Sequence, residues 1–391
     1  MILHLFNPEN DLALADGGAN YCAPPAARQI AYDLGALPLW FAQCGDAVFL
    51  PGEIHKEYYN EVSRLFNIAS PYDSSHCGSL SNVAPWGWSP QILRRFRQMG
   101  IPEVVLPQDE SVENIRMLSN RKSSIKILSA LKEAGVDVPP LPCYFTNVDE
   151  VAAYVCSRER CVVKAPWSGS GKGIMWGLGH MERPMEQFCK GVIRRQSGIV
   201  CEEFLVSRAE FAMEFLVDGG KVKFAGYSMF DTFKGAYTGN LLAPDERIEA
   251  MLAGHIDIER LHAVREVLPA VLERLLAGSG YEGYLGIDMM IYDDAGVARL
   301  NPCIELNLRM NMGVVSRIFH DRFVLPGSRG NYFVKFYSKN GEAFEEHCRN
   351  KELYPLHVVS SRIEGGYMNL SPVTPESRYA VYVIIDKEDS M

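Results

Sequence analysis

Val162-Val163-Lys164-Ala165-Pro166-Trp167-Ser168-Gly169-Ser170-Gly171-Lys172-Gly173-Ile174 is the stretch whose reading decides the fold. A β-branched pair delivers a lysine at a strand end, and a loop of alternating glycines follows. Glycines let backbone N–H groups approach phosphate oxygens closely, and a lysine supplies a compact positive charge beside them. The loop is not a Walker A motif, where the lysine precedes Ser or Thr at a different spacing. It is not a protein-kinase loop either, since there the strand lysine comes after the glycines. On its own, a glycine-rich turn after a strand is in most proteins merely a turn.

A second stretch, Gly286-Ile287-Asp288-Met289-Met290-Ile291, sets Asp288 on the face opposite to Ile287, Met289 and Ile291. The turn Asp293-Asp294-Ala295-Gly296 then leads into Val297–Leu306, and a hairpin brings the two strands side by side. Glu305 and Asn307 lie two apart, hence on one face, and Arg309 continues that face if the strand runs on. Asp288, Glu305 and Asn307 then gather oxygen ligands of the type magnesium prefers, with positions left for phosphate oxygens. The plainer alternative is two strands with polar outer faces. Pro302 interrupts the second strand, so a bulge or an edge position is expected there, and the register of Glu305 against Asp288 stays open.

Elsewhere the chain alternates. Ile2–Phe6 reads as a strand ending in the polar turn Asn7–Asp11. Pro25 to Leu34 reads as a helix, Leu37–Ala42 and Val48–Leu50 as strands, Glu53–Phe66 and Gln91–Met99 as helices, and Val104–Leu106 as a strand. Such alternation predicts a parallel sheet covered by helices. The pattern changes over residues 107–120. Arg121–Ala134 and Glu259–Ala277 read as helices, the latter with Pro269 as a kink or a second start. Beyond residue 320 the runs Leu356–Arg362 and Tyr379–Ile385 are strand-like.

Bulk properties narrow the class. A chain of 391 residues suits two or three subdomains. With 47% hydrophobic and 22% charged residues it is globular in composition. A net charge of −9 offers no basic excess for nucleic acid. The ten cysteines include no Cys-x-x-Cys pair, which excludes a zinc ribbon and a redox pair by spacing. No apolar run approaches the roughly 20 residues of a membrane span, and Met1–Phe6 lacks the basic start of a signal peptide. A cytoplasmic location is expected.

Taken in order, these elements resemble the ATP-grasp superfamily of the carboxylate–amine or carboxylate–thiol ligase type. That family shows a lysine or arginine at a helix start, then a strand lysine with a glycine-rich loop. A hinge, a ribose-binding glutamate, and an acidic residue paired with Glu-x-Asn follow. The chain offers Arg121 or Lys122, Lys164, Ser168–Gly173, Glu202-Glu203-Phe204-Leu205, Glu210, Asp288 and Glu305-Leu306-Asn307-Leu308-Arg309. The resemblance spans residues 115–312 and implies an α/β chain: an N-terminal Rossmann-like (pre-ATP-grasp) domain, 1–115, then a two-lobed α+β ATP-grasp domain. Its lobes would be 116–206 and 207–391.

Carried over residue by residue, the resemblance implies that Lys122 (or Arg121) and Lys164 hold the α- and β-phosphates of ATP. Ser168, Gly169, Ser170, Gly171 and Gly173 close over the phosphates, Glu202, Glu203, Phe204 and Leu205 meet adenine, and Glu210 takes the ribose. Arg208 or Glu203 could share that last role. Asp288, Glu305 and Asn307 ligate one or two Mg²⁺, or Mn²⁺ in its place. Arg309 steadies the transferred phosphoryl group, and Lys234 on a lid meets the γ-phosphate, with a plain surface loop as the alternative for Lys234.

The implied activity is ligation of a small-molecule or peptide carboxylate, through an acyl phosphate, to a nucleophile such as an amine. A small-molecule kinase and a non-catalytic nucleotide-binding protein are the alternatives. Substrate specificity is expected between the N-terminal domain and the ATP cleft, where Asn7, Glu9, Asn10 and Asp11 are the leading candidates, with Arg28 as a carboxylate partner and Trp86 and Trp88 as walls. The plainer reading, which outweighs it, is a turn that stands on its own and tryptophans that belong to the core. A homodimer is open, members of the family being frequently dimers.

Overall fold

A computed structural model describes residues 1–169, 173–233 and 236–386. The N-terminal strands Ile2–Leu5, Ala47–Val48, Ser70–Pro71 and Asn82–Pro85 form a parallel sheet, with Ile2–Leu5 between Ala47–Val48 and Asn82–Pro85. Alternation therefore reads correctly as a parallel sheet. Several expected elements differ. Leu37–Trp40 and Glu103–Val105 are single 3-10 turns rather than strands. In the first, Pro38 is the second residue, and in the second, Pro102 stands just before the turn; each fixes a helical φ and withholds a ladder donor. The turn after the first strand continues into the helix Asn10–Asp16, and residues 107–120 contain the helix Asp109–Leu118.

A smaller antiparallel sheet has the order Cys143–Phe145, Ile199–Glu203, Cys161–Lys164, Ile174–Gly177. Its period of two divides the side chains cleanly. Cys161, Val163, Ile199 and Cys201 bury against the helices Val148–Cys156 and Arg183–Gln196. Val162, Lys164, Val200, Glu202 and Tyr144 share the other face, as paired positions must.

The third sheet has nine strands, beginning Val297–Asn307, Gly283–Asp294, Val206–Asp218, Lys221–Phe233 and ending at Arg362–Asn369 and His357–Val359. Phe211, Met213, Phe215, Ile287, Met289 and Ile291 bury one face under Lys122–Glu133 and Ile258–Leu276. Ile258–Leu276 is a single helix with Pro269 inside it. The run beginning at Leu356 is two strands, His357–Val359 and Arg362–Asn369, broken by Ser360 and Ser361 at positive φ. Among the described residues no helix is long and apolar enough to cross a membrane.

One core joins the first and last parts of the chain. Trp40 is fully buried among Phe66, Phe319 and Phe323 and donates its indole N–H to the Leu370 carbonyl at 2.9 Å. Val314, Tyr332, Val381 and Val383 belong to the same cluster as Leu34, Leu37 and Leu39. Residues beyond 310 thus pack onto the N-terminal elements and hold them against the large sheet.

Candidate active site

Two polar sheet faces meet across one cleft. From the small sheet comes Lys164, 6% exposed at its strand end, with its ammonium paired to the Glu202 carboxylate. Those two residues lie on adjacent strands and one face, since Lys164 pairs with Val200 and Glu202 with Val162. The large sheet brings Asp288 directly opposite Glu305, and Gly286 opposite Asn307. The register left open by Pro302 is thereby fixed. Val297–Asn307 is an edge strand, and its pairing slips by a bulge after Asp288, so proline sits where its missing donor does least harm.

Arg121 joins the two faces. Its guanidinium donates to the Ala165 carbonyl (2.7 Å), to Ser168 Oγ (2.5 Å) and carbonyl (3.1 Å), and to Glu305 Oε2 (3.0 Å). Its Nε is buried without a partner among the described residues. Lys122 lies apart from these contacts, over the Tyr144 ring on the same face of the small sheet as Lys164. It is exposed, with its ammonium 4.7 Å from the centre of the Tyr144 ring. Of the two residues offered by the sequence, the structure brings Arg121 and not Lys122 into the cluster. A residue at the start of a helix and its successor point about 100° apart, so the two reach different partners: Arg121 the loop and Glu305, Lys122 the Tyr144 ring.

The other expected residues fall as follows. Ser168 lines the cleft, and Gly169 lies against the Asp11 carboxylate, which a Cβ at that position would displace. The Gly173 carbonyl accepts from the Ala165 amide at 2.8 Å. Ser170, Gly171 and Lys234 lie outside the described residues. Glu202 and Glu203 end their strand, and Glu203 lies 3.8 Å from Arg158 rather than facing Lys164. Phe204 and Leu205 follow, half-buried, with Phe204 edge-on to Trp176 at 5.6 Å. Glu210 sits opposite Met290, one alternate position from Ala212, which faces Asp288. Arg208 is bound to Asp293 and turned from the cleft.

Arg309 meets the N-terminal part of the chain. Its Nε and one terminal nitrogen grip both Asp11 oxygens at 2.8 Å, while Asn307 accepts at 3.3 Å and the Met310 carbonyl at 3.2 Å. Burial opposes the Arg309 charge, but Asp11, Glu305 and Asp288 outweigh it and raise its pKa. A small cavity runs between these groups, lined by Asn10, Asp11, Trp167, Ser168, Glu305 and Asn307. Of the remaining expected specificity residues, Asn7 and Asn10 serve the backbone. Asn7 donates to the Gly87 carbonyl at 2.9 Å, and Asn10, with its amide turned to donate, reaches Gly87 and Trp88 at 3.0 and 3.1 Å. Trp86 packs on Phe6 as a buried core residue, and the half-buried Trp88 packs on Phe96. Arg28 is exposed on its helix.

Burial holds the Asp288 carboxyl up at about 7, with Glu305 adding to the rise and Asn307 and Arg309 opposing it. Two carboxylates crowded out of water are a site that calls for a cation. Among the described residues no three His, Cys, Asp or Glu side chains form a metal cage. Asp288, Glu305 and the Asn307 amide are an all-oxygen set of the kind that holds magnesium jointly with phosphates rather than by protein alone. The donor set therefore fits Mg²⁺ accompanying a nucleotide.

Two residues not singled out from sequence, Glu214 and Asn311, extend this face. Glu210, Ala212 and Glu214 alternate along one strand, a period visible in the sequence. Glu214 is 1% exposed and accepts from Asn311 at 2.8 Å, with Gly286 and Gly313 leaving it room. Burial pushes its pKa up to about 8 from 4.5, Asn311 opposing and Asp288 adding. Between those values the folded protein keeps a proton that the unfolded chain has released. Its contribution to stability is thus full below pH 4.5 and lost as pH rises through 8. Glu214→Gln is expected to match the parent near pH 5 and exceed it by roughly 2–4 kcal/mol at pH 8.5, read from urea unfolding across that range. Parallel pH curves for the two proteins would contradict this.

No protein-family model matches the chain, and no curated protein matches it in sequence. Solved structures do. Biotin carboxylase from Campylobacter jejuni, as a β,γ-ATP complex, aligns over 99% of this chain and 87% of its own, with TM-score 0.53 and 13% identity. The chain has the ATP-grasp fold. N5-carboxyaminoimidazole synthetase from Staphylococcus aureus with ADP aligns over 98% of this chain and 93% of its own, at TM-score 0.47 and 12% identity. Carboxyaminoimidazole ribonucleotide synthase from Aspergillus clavatus with ATP aligns over 99% and 94%, at 0.48 and 10%. Within the ATP-grasp fold, the cleft described above lies between the small and large antiparallel sheets.

Proposed function

We propose that this protein is an ATP-dependent ligase that activates a small-molecule or peptide carboxylate as an acyl phosphate. It then joins the acyl group to a nucleophile, most simply an amine, releasing ADP and phosphate. The observation that carries this reading is the Arg121 bridge from the glycine loop to Glu305, which brings Lys164, Arg309 and the Asp288–Glu305–Asn307 face to one cleft. In this reading the chain divides at 1–115, 116–206 and 207–391, and the small substrates enter from the N-terminal side.

Lys164 and Arg121 would hold the α- and β-phosphates. Glu202–Leu205 would meet adenine, and Glu210 the ribose. Mg²⁺, held by Asp288, Glu305 and Asn307, would offset the charge of the phosphate oxygens. A carboxylate oxygen attacks the γ-phosphorus as the bond to ADP breaks; the amine then attacks the acyl carbon, the bond to phosphate breaks and the amine loses a proton. Such a transfer asks the protein mainly for position and positive charge, and Arg309 supplies both beside Asp11.

An acyl phosphate is intercepted by hydroxylamine as a hydroxamate, whereas a phosphate ester is not. With ATP, Mg²⁺ and a panel of amino acids, hydroxy acids and short peptides, carboxylate-dependent ADP release with hydroxamate formation is the expected result. ADP release that leaves an acid-stable phosphorylated hydroxyl product would make the protein a kinase instead.

A further inference from the structure

Among the described residues, three cations of the cleft are each held by a carboxylate of the chain itself. Lys164 is paired with Glu202, Arg121 with Glu305 and Arg309 with Asp11. In the ligase reading the first two carboxylates have partners of their own, the base for Glu202 and the ion for Glu305. Asp11 has neither, so the arrival of Mg²⁺–ATP leaves Arg309 capped.

The cap is complete. Nε and Nη2 of Arg309 form one edge of the guanidinium and bond both Asp11 oxygens at 2.8 Å. Nη1 and Nη2 form the other edge, taken by the Met310 carbonyl at 3.2 Å and Asn307 Oδ1 at 3.3 Å. A two-pronged grip of this kind is what a guanidinium offers a carboxylate or a phosphoryl group of a ligand. Here the chain supplies the anion.

Both partners are braced by one short segment, Trp86–Trp88. The Trp86 carbonyl accepts from the Met310 amide at 2.9 Å, next to Arg309. The Gly87 carbonyl accepts from Asn7 at 2.9 Å, and Asn10, beside Asp11, reaches Gly87 and Trp88. Asp11 stands in the first turn of Asn10–Asp16, after the buried Glu9 at its cap. The contact is still open to small molecules. Asp11 and Arg309 side chains are 22% and 18% exposed, and both line the small cavity shared with Ser168, Glu305 and Asn307.

We propose that Asp11 is an internal stand-in for the substrate anion, capping Arg309 in the empty cleft and yielding it when the substrate carboxylate arrives. Exchange of one anion for another keeps the partly buried guanidinium paired throughout, so the substrate is the kind of group that displaces Asp11 without stranding a charge. Until then Arg309 is withheld from the γ-phosphate. Bound ATP is thereby spared transfer to water, in which a water oxygen attacks the γ-phosphorus, the bond to ADP breaks and the water loses a proton. Asp11 is a positioning residue in this scheme, acting through Arg309, and its role rests on the ligase reading of the cleft.

Two measurements on the full chain test it: ATP hydrolysis with Mg²⁺ but no carboxylate substrate, and calorimetric titration with inorganic phosphate in the absence of nucleotide. Asp11→Asn is expected to hydrolyse ATP about fivefold or more faster than the parent and to bind phosphate roughly tenfold tighter. Asp11→Asn/Arg309→Met should lose both gains and match Arg309→Met. An ion pair that merely ties the N-terminal turn to the large sheet predicts the opposite sign, since its loss slackens the cleft. Hydrolysis no faster than the parent's, phosphate bound no tighter, or gains that survive Arg309→Met would each overturn the proposal. Asp11→Ser removes the same charge should Asp11→Asn not fold, and failure of both to fold would make Asp11 a structural tie and overturn it too. A parent that binds no Mg²⁺–ATP would sink the ligase reading instead, and the phosphate titrations would still decide whether Asp11 caps Arg309.

Discussion

Lys164→Met is expected to weaken Mg²⁺–ATP binding about a hundredfold, or roughly 2.7 kcal/mol, the upper range for hydrogen bonds to a charged group. The lysine is held on both sides, by Ile174–Gly177 and Ile199–Glu203, and its ammonium is turned to the cleft face by strand alternation. Methionine keeps the stem and removes the charge. The substitution also strands Glu202, so a stability loss of about 1 kcal/mol or more accompanies it; Lys164→Met/Glu202→Gln should recover that loss without recovering binding. Lys122→Met is the internal control. With its ammonium exposed over Tyr144, it should cost about fivefold or less. Calorimetry on the three variants separates the effects, and equal losses from Lys164 and Lys122 would contradict the placement.

Trp40→Ala is expected to cost roughly 3–5 kcal/mol in stability, the range for a large aromatic removed from a packed core. Three edge-on aromatic partners and the bond to Leu370 are lost together. Because this cluster ties the N-terminal elements to residues beyond 310, the loss should appear as a lower urea midpoint, with the N-terminal elements loosening first. Hydrogen exchange would register the latter as reduced protection at Leu3–Leu5 before the large sheet opens. A midpoint shift worth less than about 1 kcal/mol would mean that the cavity collapses or that this core does not join the two parts.

How legible was this in the sequence? The common face of Glu305 and Asn307, and the setting of Asp288 opposite to Ile287, Met289 and Ile291, were, because they depend on period two. The register of Glu305 against Asp288 and the pairing of Lys164 with Glu202 were not, since alternation within a strand does not say which strands lie side by side. Pro302 was legible as a bulge or edge and is both. The choice between Arg121 and Lys122 was not, since it depends on the rotation of a helix start against a loop far along the chain. Nor was the grip of Asp11 on Arg309, a contact across 298 positions that no local pattern records. Leu37–Trp40 misled because an apolar run of strand length is also what a fully buried helical turn looks like. Glu214 and Asn311 were overlooked although Glu210–Ala212–Glu214 carries the same alternation as Asp288.

The most direct test of the account is a crystal structure of the protein with Mg²⁺ and a non-hydrolysable ATP analogue. The phosphates are expected on Lys164 and Arg121, the ion between them and Asp288, Glu305 and Asn307, and the base against Glu202–Leu205. A nucleotide bound elsewhere, or its phosphates in this cleft with Lys164 still paired to Glu202 and no ion beside Glu305, would contradict it.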